Sequence, residues 1–318
     1  ALGDRSWGVG ILGFVPADLR EEQLEVVRRH PPKFALIAGG RPDQARELED
    51  LGIATYLHVP SPGLLRHFAE DGARRFVFEG RECGGHVGPR SSFVLWESMI
   101  ETLLEIIPRD DASAFHVLFA GGVHDALSSA MVAALSAPLA KRGVNVGVLM
   151  GTAYLFTREA VASGAIVEQF QNVSRDCDKT VLLEMSPGHV IRCADNAFAD
   201  EFEAEKARFR REGMSGDELR EHLESLNTER LRIASKGIRR NDNASATDDS
   251  KFVAVDESEA LAQGMFMVGQ VAALRHDIIS IAELHDDVAI AGPEILIDAA
   301  AAIETEEFET EEYSLLAS

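Results

Sequence analysis

The sequence has no apolar run that approaches the roughly 20 residues needed to cross a bilayer, and its N-terminus lacks a basic stretch followed by an apolar one. We therefore expect no membrane partner and a cytoplasmic protein. Basic side chains are also scarce, with 31 Lys and Arg against 53 Asp and Glu, a formal net charge of -22. Because such a surface repels phosphate backbones, nucleic acid is excluded as an expected partner.

Cysteine is rare as well. The three cysteines, Cys83, Cys177 and Cys193, are an odd number, and none belongs to a C-x-x-C pair. Free thiols in a reducing compartment are the expected state. His189 lies close to Cys193 in the sequence, but without a second close pair of ligands we predict no metal site.

Short apolar runs alternate with amphipathic stretches in the first half of the chain, which predicts parallel βα units with helices covering both faces of the sheet. Strands are expected at residues 7–12, 34–37, 54–59, 76–79, 115–119 and 144–150, and helices at 19–29, 43–51, 63–71, 94–107 and 125–140. Six strands are two short of a closed (β/α)₈ barrel. Either the sheet is open, or two further strands lie upstream of Ala1.

Three regions are predicted from the change in character along the chain. Residues 1–165 form the barrel portion, 166–284 a helical or irregular appendage, and 285–318 an acidic linker or tail. Within the appendage, helices are expected at 198–211, 216–232 and 258–275, and a polar loop at 241–250.

The densest motif is the glycine-rich loop after the fourth expected strand, which contains Gly84, Gly85, His86 and Gly88. Glycines allow the backbone to approach a flat ligand closely and to adopt positive φ angles. A histidine there is suited to proton transfer because its ordinary pKa, about 6.5, is near operating pH. The alternative is a tight loop with an incidental exposed histidine.

Two further loops follow later strands, Gly121-Gly122 and Gly151-Thr152. Loops at the carboxyl ends of neighbouring parallel strands lie side by side, so their backbone N–H groups can converge on one phosphate. The Thr152 hydroxyl is an additional donor.

In this order, the three motifs resemble the nitronate monooxygenase (2-nitropropane dioxygenase-like) flavoproteins, a family that also includes FMN-dependent enoyl-acyl-carrier-protein reductases. The residues that carry the resemblance are Glu82-x-Gly84-Gly85-His86-x-Gly88, Ala120-Gly121-Gly122 and Met150-Gly151-Thr152. Residues 76–97 and 231–237 are similar to the version embedded in polyketide and polyunsaturated fatty acid synthases.

The resemblance implies a TIM-type (β/α)₈ barrel with FMN at its carboxyl face. It assigns the FMN phosphate to Gly121, Gly122, Gly151 and Thr152, the flavin to Gly80, Gly84, Gly85 and Glu79, and the role of base or proton donor to His86. Glu79 stands where the family often has Gln, a departure at a flavin contact. Gly10 stands where nitronate monooxygenases typically have Asn, and this second departure argues against strict nitronate chemistry. The resemblance further implies that two strands precede Ala1 and that this chain alone binds FMN poorly.

The leading prediction is an enoyl-thioester reductase domain of a megasynthase, with NADPH or NADH as hydride donor and an acyl thioester on an acyl carrier protein as partner. Nitronate monooxygenase-type oxidation and a non-catalytic docking module are the alternatives, and homodimerisation is left open. His58 is either a cofactor contact or a rim residue. The basic group Arg232, Lys236, Arg239 and Arg240 is either a solvated helix end or a contact for the carrier protein or the NADPH phosphate.

Overall fold

The structure is a computed structural model that describes residues 5–13, 15, 17–241 and 251–305. Six strands form one parallel sheet in the order β1-β2-β3-β4-β6-β7. Their bounds, with the short β5 that lies between them in sequence, are β1 (Gly8–Leu12), β2 (Phe34–Ala38), β3 (Ala54–His58), β4 (Arg75–Glu79), β5 (Gly85–Val87), β6 (His116–Ala120) and β7 (Asn145–Leu149). The predicted parallel alternation is confirmed, and each strand lies within two residues of its expected position.

Helices connect these strands and cover the sheet: α1 (Ala17–Arg29), α2 (Pro42–Glu49), α3 (Pro62–Glu70), α4 (Ser92–Ile106) and α5 (Ala126–Arg142). The core between sheet and helices contains fully buried Leu57, Phe76, Phe78 and Phe119. Burying each such side chain contributes about 1.5–3 kcal/mol. Glu79 pairs with Ala120, and Ala120 with Leu149, so the carboxyl ends of β4, β6 and β7 are in register.

The appendage contains a β-hairpin that the sequence analysis did not predict. Strands β8 (Thr180–Ser186) and β9 (His189–Ala194) are antiparallel and are joined by Pro187-Gly188. Strand β5 of the barrel pairs with β9, with His86 opposite Ile191. The prediction that residues 166–284 are helical or irregular is therefore incomplete, because they also contain two strands. The three-stranded sheet attaches a barrel loop to the appendage.

A short helix, α6 (Arg158–Ala162), is the last helix of the barrel portion. The appendage further contains α7 (Glu168–Arg175), α8 (Ala197–Arg211), α9 (Gly216–Asn227), α10 (Arg230–Lys236), β10 (Ile238–Arg240), β11 (Phe252–Ala254) and α11 (Glu257–Gln263). The single helix predicted over 216–232 is divided, and Glu229 between its halves has a φ of 68°. The helix predicted over 258–275 is wrong beyond Gln263. Phe266 and Val268 are fully buried there in non-helical backbone, so burial outweighs the helical propensity of this Met- and Ala-rich segment.

The region predicted as an acidic linker is helical where the structure describes it. Helix α12 (Ile281–Asp286), a π-helical turn (Asp287–Ala291) and α13 (Gly292–Thr305) follow one another, and α13 packs on α5. Leu284 and Val288 are buried with Ala153 in a small core. This burial explains why the segment packs on the barrel as helix instead of forming a solvated linker. Residues 306–318, and residues 242–250 of the predicted loop, lie outside the described residues. No helix in the described ranges is long and apolar enough to cross a membrane.

Candidate active site

The three glycine-rich loops meet around one cavity of about 210 Å³ at the carboxyl ends of β4, β6 and β7. We call it the glycine-loop cavity. Six of the nine predicted site residues line it: Glu79, Gly84, Gly121, Gly122, Gly151 and Thr152. The in-register strand ends bring these loops together, as the βα pattern predicted.

Gly121 and Gly122 need to be glycine for backbone reasons. Their φ angles are 99° and 92°, in the region that other residues rarely adopt. A Cβ at Gly121 would also lie 2.7 Å from Oγ of Ser92 and 2.8 Å from the backbone nitrogen of Gly80. The loop after β6 can therefore adopt this turn and pack this closely only with glycine at Gly121.

Gly80 has a different place from the one that the resemblance implied. It is not among the residues that line the glycine-loop cavity, and a Cβ there would lie 2.0 Å from Oγ of Ser92 at the start of α4. Gly80 therefore allows the loop, α4 and Gly121 to pack together. Gly85 is also outside the lining; its φ is 81°, and its Cβ would lie 3.6 Å from Sδ of Met267.

Thr152 is held by a segment of the appendage. Its Oγ1 accepts a hydrogen bond of 2.9 Å from the backbone N–H of Gly269. A Cβ at Gly269 would lie 2.6 Å from the carbonyl oxygen of Glu82, so this contact also requires glycine. Met267 and Val271, on either side of Gly269, line the cavity, which the helix predicted for this segment did not anticipate.

Both carboxylates that line the cavity have partners. Oε2 of Glu79 lies 3.1 Å from Nδ1 of His58, and both side chains are about three-quarters buried. Oε2 of Glu82 accepts a hydrogen bond of 2.8 Å from the backbone N–H of Ser92 and another from its hydroxyl. Carboxylate acceptance at the first turn of α4 stabilises the helix start, so Glu82 fixes the loop on α4.

Cys83 is not suited to act as a nucleophile. It is buried, and its Sγ donates to the carbonyl oxygen of His86 at 3.5 Å. Burial, with the nearby Glu79 carboxylate, raises the pKa of the Cys83 thiol far above its ordinary value. Within the described residues, no group of three or more His, Cys, Asp or Glu side chains could hold a metal ion.

His86 lies beside a second space, a cleft of about 650 Å³, which we call the His86 cleft. Its walls include Met185, His189, Ile191, Glu224, Leu231 and Met265 from the appendage. Met267 lines both the His86 cleft and the glycine-loop cavity, so the two spaces are adjacent. Sequence reasoning assigned His86 and the glycines to one site; the structure separates them across this methionine.

The strand that carries His86 is held by a buried arginine. Arg192 on β9 is only 4% exposed. It donates from Nε and Nη2 to the carbonyl oxygen of Arg81, at 3.1 and 2.9 Å, and from Nη1 to Oγ1 of Thr180 at 2.8 Å. These hydrogen bonds, with the β5–β9 pairing, fix the position of the His86 loop.

Partial burial of the ring against the cleft, together with the neighbouring His189, lowers the pKa of His86 from its ordinary value, although the residue remains partly exposed. The imidazole is therefore neutral at neutral pH. Nε2 of His86 lies 3.1 Å from Nε2 of His189. His189, Arg192 and Gly269 were all missed as site residues, although the Pro187-Gly188 pair was a signal for the hairpin that presents two of them.

The predicted basic group adjoins this cleft. Arg232, Lys236 and Arg240 are among its lining residues, while Arg239 pairs with Glu259 at 3.3 Å. The carboxylate of Glu229 contacts Arg232 at 2.8 Å and Arg240 at 3.0 Å. The group is thus partly neutralised rather than a fully solvated helix end.

A family model described as nitronate monooxygenase matches residues 11–289. The chain belongs to the nitronate monooxygenase family. The family predicted from the three loops is confirmed.

One curated relative and two solved structures illustrate the likeness. The (3aS,4S,5R,7aS)-5-hydroxy-7a-methyl-1-oxo-octahydro-1H-indene-4-carboxyl-CoA dehydrogenase of Rhodococcus jostii (strain RHA1) is 26% identical over 173 residues, 53% of this chain and 42% of that protein. The chain therefore spans less than half the length of this relative. FabK from Thermotoga maritima has a TM-score of 0.69 at 21% identity, over 94% of this chain and 79% of that one. Nitroalkane oxidase from Streptomyces ansochromogenes has a TM-score of 0.61 at 16% identity, over 93% and 82%. These neighbours, with the family, confirm the (β/α)₈ fold class.

The glycine-loop cavity has features that fit a flavin nucleotide. A Cβ at Gly151 would meet no atom within 4 Å, and at Gly122 the nearest atom is Cβ of Glu82 at 3.7 Å, so space lies beside this backbone. His58 does not line the cavity, but it contacts the lining residue Glu79 through Nδ1, and its Nε2 is buried with no hydrogen-bond partner among the described residues. Because no lysine or arginine of the described ranges lines the cavity, backbone N–H groups and the Thr152 hydroxyl are the donors available to a phosphate there.

Proposed function

We propose that this chain is part of an FMN-dependent oxidoreductase that reduces an enoyl thioester, with NADPH or NADH as hydride donor. Membership of the nitronate monooxygenase family supports the flavin and the reaction class. The observation that carries the choice of substrate is the size and lining of the His86 cleft.

In this proposal the glycine-loop cavity, of about 210 Å³, holds the phosphate end of FMN. Gly121, Gly122, Gly151 and Thr152 would bind the phosphate, and Glu79 and Gly84 would contact the cofactor. FMN, when bound, supplies the hydride-transfer chemistry. Gly80 and Gly85 serve the site indirectly, by allowing the loops to pack.

The His86 cleft suits an acyl thioester better than a small nitroalkane. Its volume of about 650 Å³ lies within the range of about 300–1,000 Å³ that is usual for ligand pockets. Thioether and aliphatic side chains of Met185, Ile191, Leu231, Met265 and Met267 can contact an extended acyl chain.

The polar side of the cleft suits an anionic carrier. The lining of the cleft includes three cations, Arg232, Lys236 and Arg240, and two carboxylates, Glu224 and Glu229. Cations therefore outnumber carboxylates here, although the whole chain has a net charge of -22. This local balance favours the phosphate of a phosphopantetheine arm or of NADPH. It supports the proposal that an acyl carrier protein of a polyketide or fatty acid synthase presents the substrate.

His86 supplies the proton that completes the reduction at the α-carbon. Its lowered pKa favours the neutral imidazole, however, which is the form that removes an α-proton. This observation keeps nitronate-type oxidation as the second candidate function.

The two reactions are separated by parallel assays on the purified chain supplied with FMN. NADPH consumption that depends on a crotonyl thioester, without nitronate-dependent oxygen uptake, supports the reductase. The opposite pattern overturns it in favour of nitronate oxidation. Flavin binding with neither activity also overturns it and leaves a docking module. Comparing crotonyl-CoA with crotonyl carrier protein tests the partner, since a carrier preference should lower KM and leave kcat unchanged.

A further inference from the structure

His86 belongs to a linear arrangement of three titratable side chains from three elements. Nε2 of His86 on β5 lies 3.1 Å from Nε2 of His189 on β9, and the ring planes are inclined by only 14°. Nδ1 of His189, on the other side of its ring, lies 3.6 Å from Oε1 of Glu224 on α9. All three side chains line the His86 cleft.

The sheet produces this arrangement. His86 pairs with Ile191 across β5 and β9, and His189 is the next residue along β9 on the same face. Arg192 holds the neighbouring loop through its hydrogen bonds to Arg81. Backbone pairing of β5 with β9 thus holds the two partly exposed rings beside each other.

The geometry restricts where protons can lie. Two imidazole nitrogens at 3.1 Å form a hydrogen bond only when one carries a proton and the other does not. The Glu224 carboxylate favours a proton on Nδ1 of His189, as carboxylates beside histidines commonly do. Nε2 of His189 is then the acceptor, and the proton between the rings belongs to His86.

We propose that His189, oriented by Glu224, is the positioning residue and proton-relay partner of His86. The inference rests on the proposed function, in which His86 exchanges a proton with the substrate. In α-proton abstraction, Nδ1 of neutral His86 takes the proton from the α-carbon while the proton on its Nε2 passes to Nε2 of His189, and Glu224 stabilises the resulting imidazolium of His189. Protonation of the α-carbon runs the same steps backwards: it starts from the His189 imidazolium and from His86 protonated on Nδ1, and Nε2 of His86 receives the proton from Nε2 of His189.

Other charged groups of the cleft are engaged elsewhere. Glu229 contacts Arg232 and Arg240, and Nζ of Lys236 donates to the carbonyl oxygens of Gly164 and Ala165, both at 2.8 Å. Arg220, one turn before Glu224 on α9, lies 3.7 Å from its Oε1. Glu224 is thus the carboxylate that contacts the histidine pair.

The test reads the histidine protons directly. Long-range ¹H–¹⁵N spectra of the purified chain, recorded across pH, report the tautomer and the pKa of each imidazole, with His86→Gln and His189→Gln giving the assignments. We expect His189→Gln to raise the pKa of His86, because its neighbouring imidazole is removed. Glu224→Gln should reduce the Nδ1–H tautomer of His189.

Matched controls are available in the same fold. Glu221→Gln removes an equal charge from an exposed position on α9, and His67→Gln removes an exposed histidine on α3. Neither should alter the spectrum of His86. If His189→Gln and Glu224→Gln leave the ¹⁵N shifts and titration of His86 unchanged while the melting temperature is retained, the relay is wrong.

Activity distinguishes this failure from failure of the proposed function. In the working enzyme, His189→Gln and Glu224→Gln should each lower kcat about 10-fold, a part of the 10²–10⁴-fold that acid–base catalysis provides. His189→Gln should also displace the pH–rate limb of His86 to higher pH, which a merely structural defect would not do. Altered His86 spectra in a protein without turnover would support the coupled pair and overturn the proposed function. A lowered kcat with an unmoved limb would overturn the relay alone.

Discussion

The glycine-loop cavity and the His86 cleft share Met267 but are built differently. Four glycines of the three loops line the cavity, and a Cβ at two of them, Gly84 and Gly121, would clash with neighbouring atoms. The cleft is made of side chains, most of them from the appendage. The cavity walls carry two carboxylates and no cation, whereas the cleft carries three cations and two carboxylates. Glycine loops suit close contact with a cofactor that is the same in every reaction cycle. The side chains of the cleft suit catalysis and the choice of substrate. The two regions should therefore fail separately when mutated.

The largest effect should come from removing the acid–base group of the cleft. His86→Ala should lower turnover about 10²–10⁴-fold with FMN affinity retained, because His86 is outside the cavity lining. Steady-state rates and flavin titration measure the two quantities. His67→Ala, at an exposed position on α3, is the control. A parallel loss of FMN would show that the cavity depends on His86 and would break the comparison.

Two glycines of the cavity region should respond in opposite ways. Gly80→Ala places a Cβ 2.0 Å from Oγ of Ser92 and 2.3 Å from its Cα, so the free energy of unfolding should fall by about 3 kcal/mol. Gly151→Ala meets no atom and should change it by less than about 0.5 kcal/mol. Its Cβ enters the space assigned to FMN, so the flavin Kd should rise about 10-fold. Denaturant unfolding and flavin titration would contradict us if both variants behaved alike.

Arg192 tests how far the cleft depends on the hairpin. Arg192→Met leaves the carbonyl oxygen of Arg81 without its two donors, which should cost about 2 kcal/mol of unfolding free energy. Turnover should fall more than FMN affinity, since the His86 loop is attached to β9. Arg210→Met, at an exposed position of α8, is the matched control. Equal losses of binding and turnover would argue that one rigid unit forms both regions.

The smallest effect is a displaced pH profile. Because burial and His189 lower the pKa of His86, its imidazole remains neutral to more acidic pH than an ordinary histidine. If the reaction needs neutral His86, kcat/KM should rise with pH and become constant at a lower pH than for an ordinary histidine. If the reaction needs the imidazolium, kcat/KM should fall with rising pH over that same range. The pH dependence of kcat/KM therefore identifies the direction of proton transfer, and a limb above pH 6.5 would contradict the lowered pKa.

The barrel portion was predictable because its signals are local. Apolar strands such as Phe76–Glu79 and glycines at their ends indicate both the sheet and the edge where the loops meet. The cleft could not be predicted from the sequence, because its residues come together through partners that are distant in the chain. His189 and Arg192 have no local motif, and their roles follow from pairing with β5. The segment after Gly264 has the composition of a helix, and the burial of Phe266 and Val268 accounts for its lack of α-helix.

The pairing of β5 with β9 also bears on how the protein folds. His86 and His189 are separated by 103 residues in the chain, and both the cavity and the cleft need Met267. Contacts of such long sequence separation form late, because the intervening loop must close first. During synthesis the barrel strands can therefore pair before either space is complete. Both spaces become complete only once the ribosome has released the segment that includes Met267.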